Sequence, residues 1–139
     1  MVDQNCAYCM EGELVAKFGI KICELETSKV YLFKEQSHPG RCIVAHKKHV
    51  GDMNELTAEE RAAYFEDVAR VARAIMKAFN PDKVNYGAYG DTGHHLHFHL
   101  CPKYKDEYEW GGVFLMNPAK KYLTDAEYAE MIDKIKANL

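Results

Sequence analysis

His94-His95-Leu96-His97-Phe98-His99-Leu100-Cys101 decides how this chain is read, because four of its seven histidines fall in this stretch. From His95 onward they alternate with apolar residues, and a strand sends successive side chains to opposite faces. The alternation predicts a strand with His95, His97 and His99 on one face and Leu96, Phe98 and Leu100 on the other. At about 3.3 Å of rise per residue, neighbouring imidazoles on that face stand about 6–7 Å apart. One small substrate group can then meet two of them. The apolar face belongs to a core; a row of imidazoles opposite it is costly to bury unless it is used.

Just upstream, Val84–Tyr89 reads as a strand, and Gly90-Asp91-Thr92-Gly93 as a glycine-flanked loop whose backbone N–H groups can face an anion. Just downstream, Cys101-Pro102 opens a polar, aromatic segment with Tyr104, Tyr108, Trp110, Gly111 and Gly112, expected to be irregular and near the mouth of a site. Further out, Leu14–Phe33 reads as β, in the runs Leu14–Phe18, Ile20–Leu25 and Lys29–Phe33. Ser37-His38-Pro39-Gly40 is a turn, and Arg41–His46 another strand that runs into Lys47-Lys48-His49. Thr57-Ala58-Glu59-Glu60 is a capping box for a long helix, with apolar residues recurring at Phe65, Val68, Ala69, Ala72, Ile75, Met76 and Phe79. Asn80-Pro81 stops it. Thr124-Asp125-Ala126-Glu127 caps a last helix with an apolar face of Tyr128, Met131, Ile132, Ile135 and Leu139.

The 139 residues, 47% apolar and 28% charged, are expected to form one domain, 1–139, with a real core. A net charge of −3 without a basic block gives no support for nucleic-acid binding. Apolar runs are short, so neither a signal peptide nor a membrane span is expected. Five cysteines, an odd number, favour reduced thiols in a cytoplasm over a disulfide framework. Of these, Cys23, Cys42 and Cys101 suit small packing positions. Cys6 and Cys9, in Cys6-Ala7-Tyr8-Cys9, are spaced to reach one metal ion, zinc above all, or to act as a redox pair; both readings are open on spacing alone.

Together these residues resemble the histidine triad (HIT) family, whose signature His-φ-His-φ-His-φ-φ, with φ apolar, is complete at His95–Cys101. The resemblance extends over nearly the whole chain, in the order Cys-x-x-Cys, a strand ending in Lys-Lys-His, the long helix, and an asparagine-to-triad loop. It implies an α+β fold, with an antiparallel sheet of about five strands, one long central helix and a C-terminal helix, in a homodimer. Residues 1–12 would be a zinc-knuckle segment, and residues 84–103 would carry the asparagine loop and the triad strand. The implied activity is hydrolysis or transfer at the α-phosphorus of a nucleoside phosphoramidate or dinucleoside polyphosphate, with a purine nucleotide as substrate. The resemblance makes His97 the nucleophile, sets His99 and Thr92 against the phosphate, and places Asn85 near the sugar. In the zinc-bearing branch Cys6, Cys9, His49 and His95 hold a structural zinc; no organic cofactor is implied. Two positions depart from the pattern. Arg41 stands where many members carry a histidine, and as a fork donor it is expected to bind phosphate. Phe33-Lys34-Glu35-Gln36 occupies the place of a ribose-binding aspartate, with Glu35 as its substitute.

Imidazole suits this chemistry because near neutral pH it is an uncharged nucleophile that later leaves readily once protonated. A neighbouring carbonyl is expected to fix the His97 tautomer. Two other readings compete. A catalytic zinc held by His95, His97 and His99 would keep water as its fourth ligand, but leaves Cys6, Cys9 and His49 without a task. A non-catalytic, zinc-stabilised nucleotide-binding module would keep the triad without turnover. His94 is read as exposed or as a loop anchor; His38 and His46 receive no role.

Overall fold

The histidine stretch enters an interior strand only at His97; His94, His95 and Leu96 lie in the connection before it, so the strand starts two residues later than the alternation predicts. The computed structural model describes residues 2–139. Two short helices, α1 (Ala7–Met10) and α2 (Gly12–Ala16), precede three strands, β1 (Gly19–Glu24), β2 (Ser28–Phe33) and β3 (Cys42–His46). A 22-residue helix α3 (Ala58–Phe79) follows, then β4 (Lys83–Gly87), β5 (His97–Lys103) and a final helix α4 (Asp125–Ala137). The strands form one antiparallel sheet in the order β1-β2-β3-β5-β4. The fold is α+β, with the strand number and the two main helices expected. No helix among the described residues is long and apolar enough to cross a membrane.

Register gives the sheet two different faces. Ala45 lies opposite His97 and Ile43 opposite His99, while Val44 lies opposite Phe98. Val44, Leu100, Val30, Leu32 and Cys42 therefore join the main core, with Tyr64, Val68, Val71 and Ile75 of α3 and Tyr128 and Ile135 of α4. On the reverse face a smaller cluster of Tyr31, Phe33, Ile43 and Ala45 packs against Tyr8 and Val15. His97 and His99 stand on that second face, with the main helices behind them and the N-terminal segment and Phe114 in front.

Both capping boxes form. Thr57 and Glu60 exchange hydrogen bonds at the start of α3, Thr124 and Glu127 at the start of α4. Asn80, in a left-handed conformation with φ 50°, ends α3 before Pro81. Gly40 turns the chain into β3 at φ +95°, and a Cβ there would lie 2.6 Å from the ring of Phe79, so no other residue fits. One expected strand is instead a helix. Leu14–Phe18 falls in α2 and the turn after it, with Val15 buried and Leu14 and Phe18 half-buried. Apolar contacts at i, i+1 and i+4 are helical spacing, and Ala16 and Lys17 are good helix formers.

Candidate active site and metal centre

At the site each histidine has one ring nitrogen committed. His97 Nδ1 lies 2.7 Å from the backbone oxygen of His95. Only a donor can satisfy a carbonyl, so the His97 proton sits on Nδ1 and Nε2 carries the lone pair. Burial lowers the His97 pKa against the opposing effect of that hydrogen bond, which leaves the ring neutral at neutral pH. The rings of His97 and His99 are 5.4 Å apart, centre to centre. His97 borders a cavity of about 170 Å³ with Gly51, Met53, Tyr89 and Gly90. An open groove of about 540 Å³, lined by Asn85, Tyr86, Val113 and Phe114, shares Tyr89 with it.

His95 also packs against Tyr8 but commits its other ring nitrogen. Its Nε2 donates to the backbone oxygen of His46 at 2.6 Å, so Nδ1 keeps a lone pair. Burial above all draws its pKa down to about 4, which keeps it an unprotonated donor atom. That Nδ1 lies 3.3 Å from Cys6 Sγ, 3.6 Å from Cys9 Sγ and 3.0 Å from His49 Nδ1, and Cys9 Sγ is 3.2 Å from His49 Nδ1. One ligand atom from each of the four residues lies within 4.8 Å of the others. A tetrahedron with zinc–sulfur and zinc–nitrogen bonds has edges of about 3.3–3.8 Å. The cluster has that size, and its donor set of two thiols and two imidazoles fits a closed, four-coordinate metal site. These four residues could hold a metal ion.

The structure joins some other candidates to this centre and not others. The three triad rings do not converge on one point, since His95 turns to the cysteines and His97 and His99 each commit Nδ1 elsewhere; among the described residues the three form no metal cluster. Arg41 is fully buried at the entrance to β3. Its Nη2 donates to His99 Nδ1 at 3.1 Å and to the backbone oxygen of Met116 at 2.9 Å, and Nη1 to that of Leu115 at 3.0 Å. The fork that was expected to face phosphate is therefore spent inside the protein. Glu35 is likewise unavailable to a ribose. Its carboxylate accepts from the Ser37 hydroxyl and amide at 2.7 and 2.8 Å and from the amides of Lys120 and Lys121 at 2.8 and 2.9 Å. Asn85, opposite Cys101 in the register, lines the groove. Thr92 is exposed in the loop before the triad and lines neither cavity. His94 is exposed and lies over Gly51.

A family model described as HIT domain matches residues 19–106. The chain belongs to the HIT family. It is 27% identical over 141 residues to an adenosine 5′-monophosphoramidase of Schizosaccharomyces pombe, covering 95% of this chain and 99% of that one. Among solved structures, a histidine triad protein from Sinorhizobium meliloti superposes with a TM-score of 0.84 at 23% identity, over 92% of this chain and 95% of that one. A zinc-bound histidine triad family protein from Mycobacterium smegmatis has a TM-score of 0.68 at 20% identity, over 95% and 94%.

Three aromatic residues of this HIT chain wall the site without having stood out in the sequence. The Tyr8 ring lies 5.0 Å from His97 and 5.4 Å from His95, carried there by the turn between Cys6 and Cys9. Phe114 sits 6.4 Å from both His99 and Tyr89. Gly87 makes room for the last pair, since a Cβ there would lie 2.6 Å from the Tyr89 ring and 2.8 Å from Phe114. That glycine, two residues from Asn85 in an otherwise good strand, was the available signal.

Proposed function

We propose that this protein is a nucleotide hydrolase or transferase that attacks the α-phosphorus of a nucleoside phosphoramidate, or of a dinucleoside polyphosphate, through His97. The observation that carries the reading is the His97 tautomer: a neutral imidazole whose Nδ1–H is held by the His95 carbonyl and whose Nε2 lone pair is free to attack. Nε2 forms a bond to phosphorus as the bond to the leaving group breaks; phosphate leaves as its anion, and an amine leaves carrying one proton taken up from solvent, which the acceptor water later gives back. The developing imidazolium stays bonded to the His95 carbonyl through Nδ1. Water, or a second acceptor, then takes the nucleotidyl group, and His97 leaves as neutral imidazole once the attacking oxygen has lost its proton. A purine nucleoside would sit in the groove beside Asn85, Tyr89 and Phe114, and the loop at 90–93, which borders the His97 cavity only through Gly90, would turn toward the phosphate to offer its amides and the Thr92 hydroxyl. The phosphoramidase activity named for the fission-yeast relative supports the phosphoramidate arm.

In this reading Cys6, Cys9, His49 and His95 hold a structural zinc, supported by the size of the cluster and by the zinc-bound mycobacterial neighbour. The ion ties the N-terminal segment to the residue from which the His97 carbonyl anchor comes. Such a thiolate site belongs to a reducing compartment, the cytoplasm. A homodimer belongs to the same reading. Among the described residues β4 pairs only with β5, so its outer edge is open, and Tyr86 and Val113 are exposed beside it. Sedimentation should give twice the 15.9 kDa chain mass.

The test is to mix the protein with an adenosine 5′-phosphoramidate and quench it in alkaline denaturant. A peptide spanning His97 should carry the mass of one adenylyl group. His97→Ala should keep nucleotide binding while turnover falls on the order of 10³-fold or more. A wild-type protein that binds adenosine monophosphate but shows neither turnover nor adduct would be a binding module instead.

A further inference from the structure

The mechanism above leaves Arg41 unexplained. It is a fully buried cation that forms no ion pair among the described residues. The guanidinium is instead sandwiched between the rings of Phe33, at 4.2 Å, and Phe114, at 4.8 Å. The carbonyls of Leu115 and Met116 fix its plane, and Nε is buried with no partner. So much desolvation for one guanidinium needs a return. The remaining contacts are Nη2 with the Met116 sulfur at 3.7 Å and with His99 Nδ1.

We propose that Arg41 is a positioning residue that locks the single proton of His99 on Nε2, so that His99 serves as a fixed, neutral hydrogen-bond donor to the phosphoryl oxygens and never exchanges a proton during turnover. Arginine has donors only and stays charged in proteins. At 3.1 Å from its Nη2, His99 Nδ1 has to accept, and the neutral ring then carries its proton on Nε2. A second proton, on Nδ1, would set two N–H groups head to head and place an imidazolium beside a guanidinium. Phe33 and Phe114 flank the His99 ring as well, at 5.4 and 6.4 Å, so neither partner can swing away. The charged or titratable groups bearing on His99 are Arg41 and His97. Burial first, then Arg41 and His97, push its pKa down to about 2.

The outcome is a matched pair. His97 is pinned by a carbonyl and offers a lone pair; His99, 5.4 Å away, is pinned by a cation and offers N–H. Attack at phosphorus needs one group of each kind, a nucleophile for the centre and a donor for the charge that grows on its oxygens. A histidine in place of Arg41 could donate or accept, and would leave the His99 tautomer undecided.

The proposal rests on the phosphoryl-transfer reading for its purpose, but its test does not need turnover. In protein labelled with ¹⁵N-histidine, His99 is assigned by the signal lost in His99→Gln. Two-dimensional ¹H–¹⁵N spectra from pH 5 to pH 9 should show His99 with bare Nδ1 and protonated Nε2 throughout, without titration. A protonated Nδ1, or a ring that becomes charged in this range, overturns the proposal even if the enzyme is active. Arg41→Met should mix the two tautomers and lower kcat on the order of 10–100-fold, more than it changes KM. Arg41→Lys, which keeps one cationic donor, should restore the tautomer. An Arg41→Met protein with unchanged kcat overturns the positioning role. If it does not fold, the wild-type spectra and Arg41→Lys still decide. A wild-type protein with the expected spectra but no turnover would instead sink the hydrolase reading alone.

Discussion

Three imidazoles of one short run hold their protons in three different ways, each set by a single neighbour. His95 gives Nε2–H to the His46 carbonyl, His97 gives Nδ1–H to the His95 carbonyl, and His99 accepts from Arg41. Residue type alone would make them equivalent; backbone oxygens and one buried cation distinguish them. For His95 the consequence is an Nδ1 lone pair aimed at Cys6, Cys9 and His49. Protein purified without chelators should therefore contain about one zinc per chain, and Cys9→Ser should lose it. Stripping the metal should lower Tm by about 5 °C or more, because the ion binds only the folded state. Metal analysis and calorimetry on the same samples check both.

At the scale of elements, the long helix is tied to the sheet by more than its apolar face. Asp67 of α3 is buried and accepts through Oδ2 from the amide and hydroxyl of Thr27, at 2.9 and 2.7 Å, and from the Ser28 hydroxyl at 2.8 Å. One carboxylate thus satisfies the turn between β1 and β2. Asp67→Ala should cost about 2–3 kcal/mol in urea unfolding, since it strands those donors in the interior. This contact shows where sequence reading stops. Period-2 alternation revealed β5 and capping boxes revealed α3 and α4, because those signals are local. The tether between Asp67 and Thr27 spans 40 positions and leaves no local trace. The same holds for the site. The triad strand could be read from its own residues, whereas Tyr8 over His97 and Phe114 over Arg41 arise from packing between distant segments. Leu14–Phe18 misled because five residues contain too few periods to tell a helix turn from a strand.

Over the whole molecule, the irregular stretch between β5 and α4 is held by buried polar side chains rather than by an apolar hull. Lys103 donates to the carbonyls of Glu109 and Gly112, Arg41 to those of Leu115 and Met116, and Glu35 accepts the amides of Lys120 and Lys121. His38 is paired with the Glu109 carboxylate at 2.7 Å. A segment without ladder hydrogen bonds needs such partners when it covers a core. Burial works to raise the Glu35 pKa, but hydrogen bonds from Ser37, Lys121 and Lys120 outweigh it and hold the carboxyl below its usual value. A folded pKa below the unfolded one of about 4.3 gives stability that is present above that pH and lost as pH falls through the folded value. Glu35→Gln should thus cost about 1–3 kcal/mol near neutrality, with the gap to wild type closing below about pH 4. Denaturation curves at several pH values check it. The turn bearing Tyr8 has one more implication, for biosynthesis. Cys6 meets His95 across 89 positions, so the segment bearing Tyr8 cannot dock until the triad strand has been made. The wall over His97 is then among the last parts to assemble, and contacts of such range slow folding.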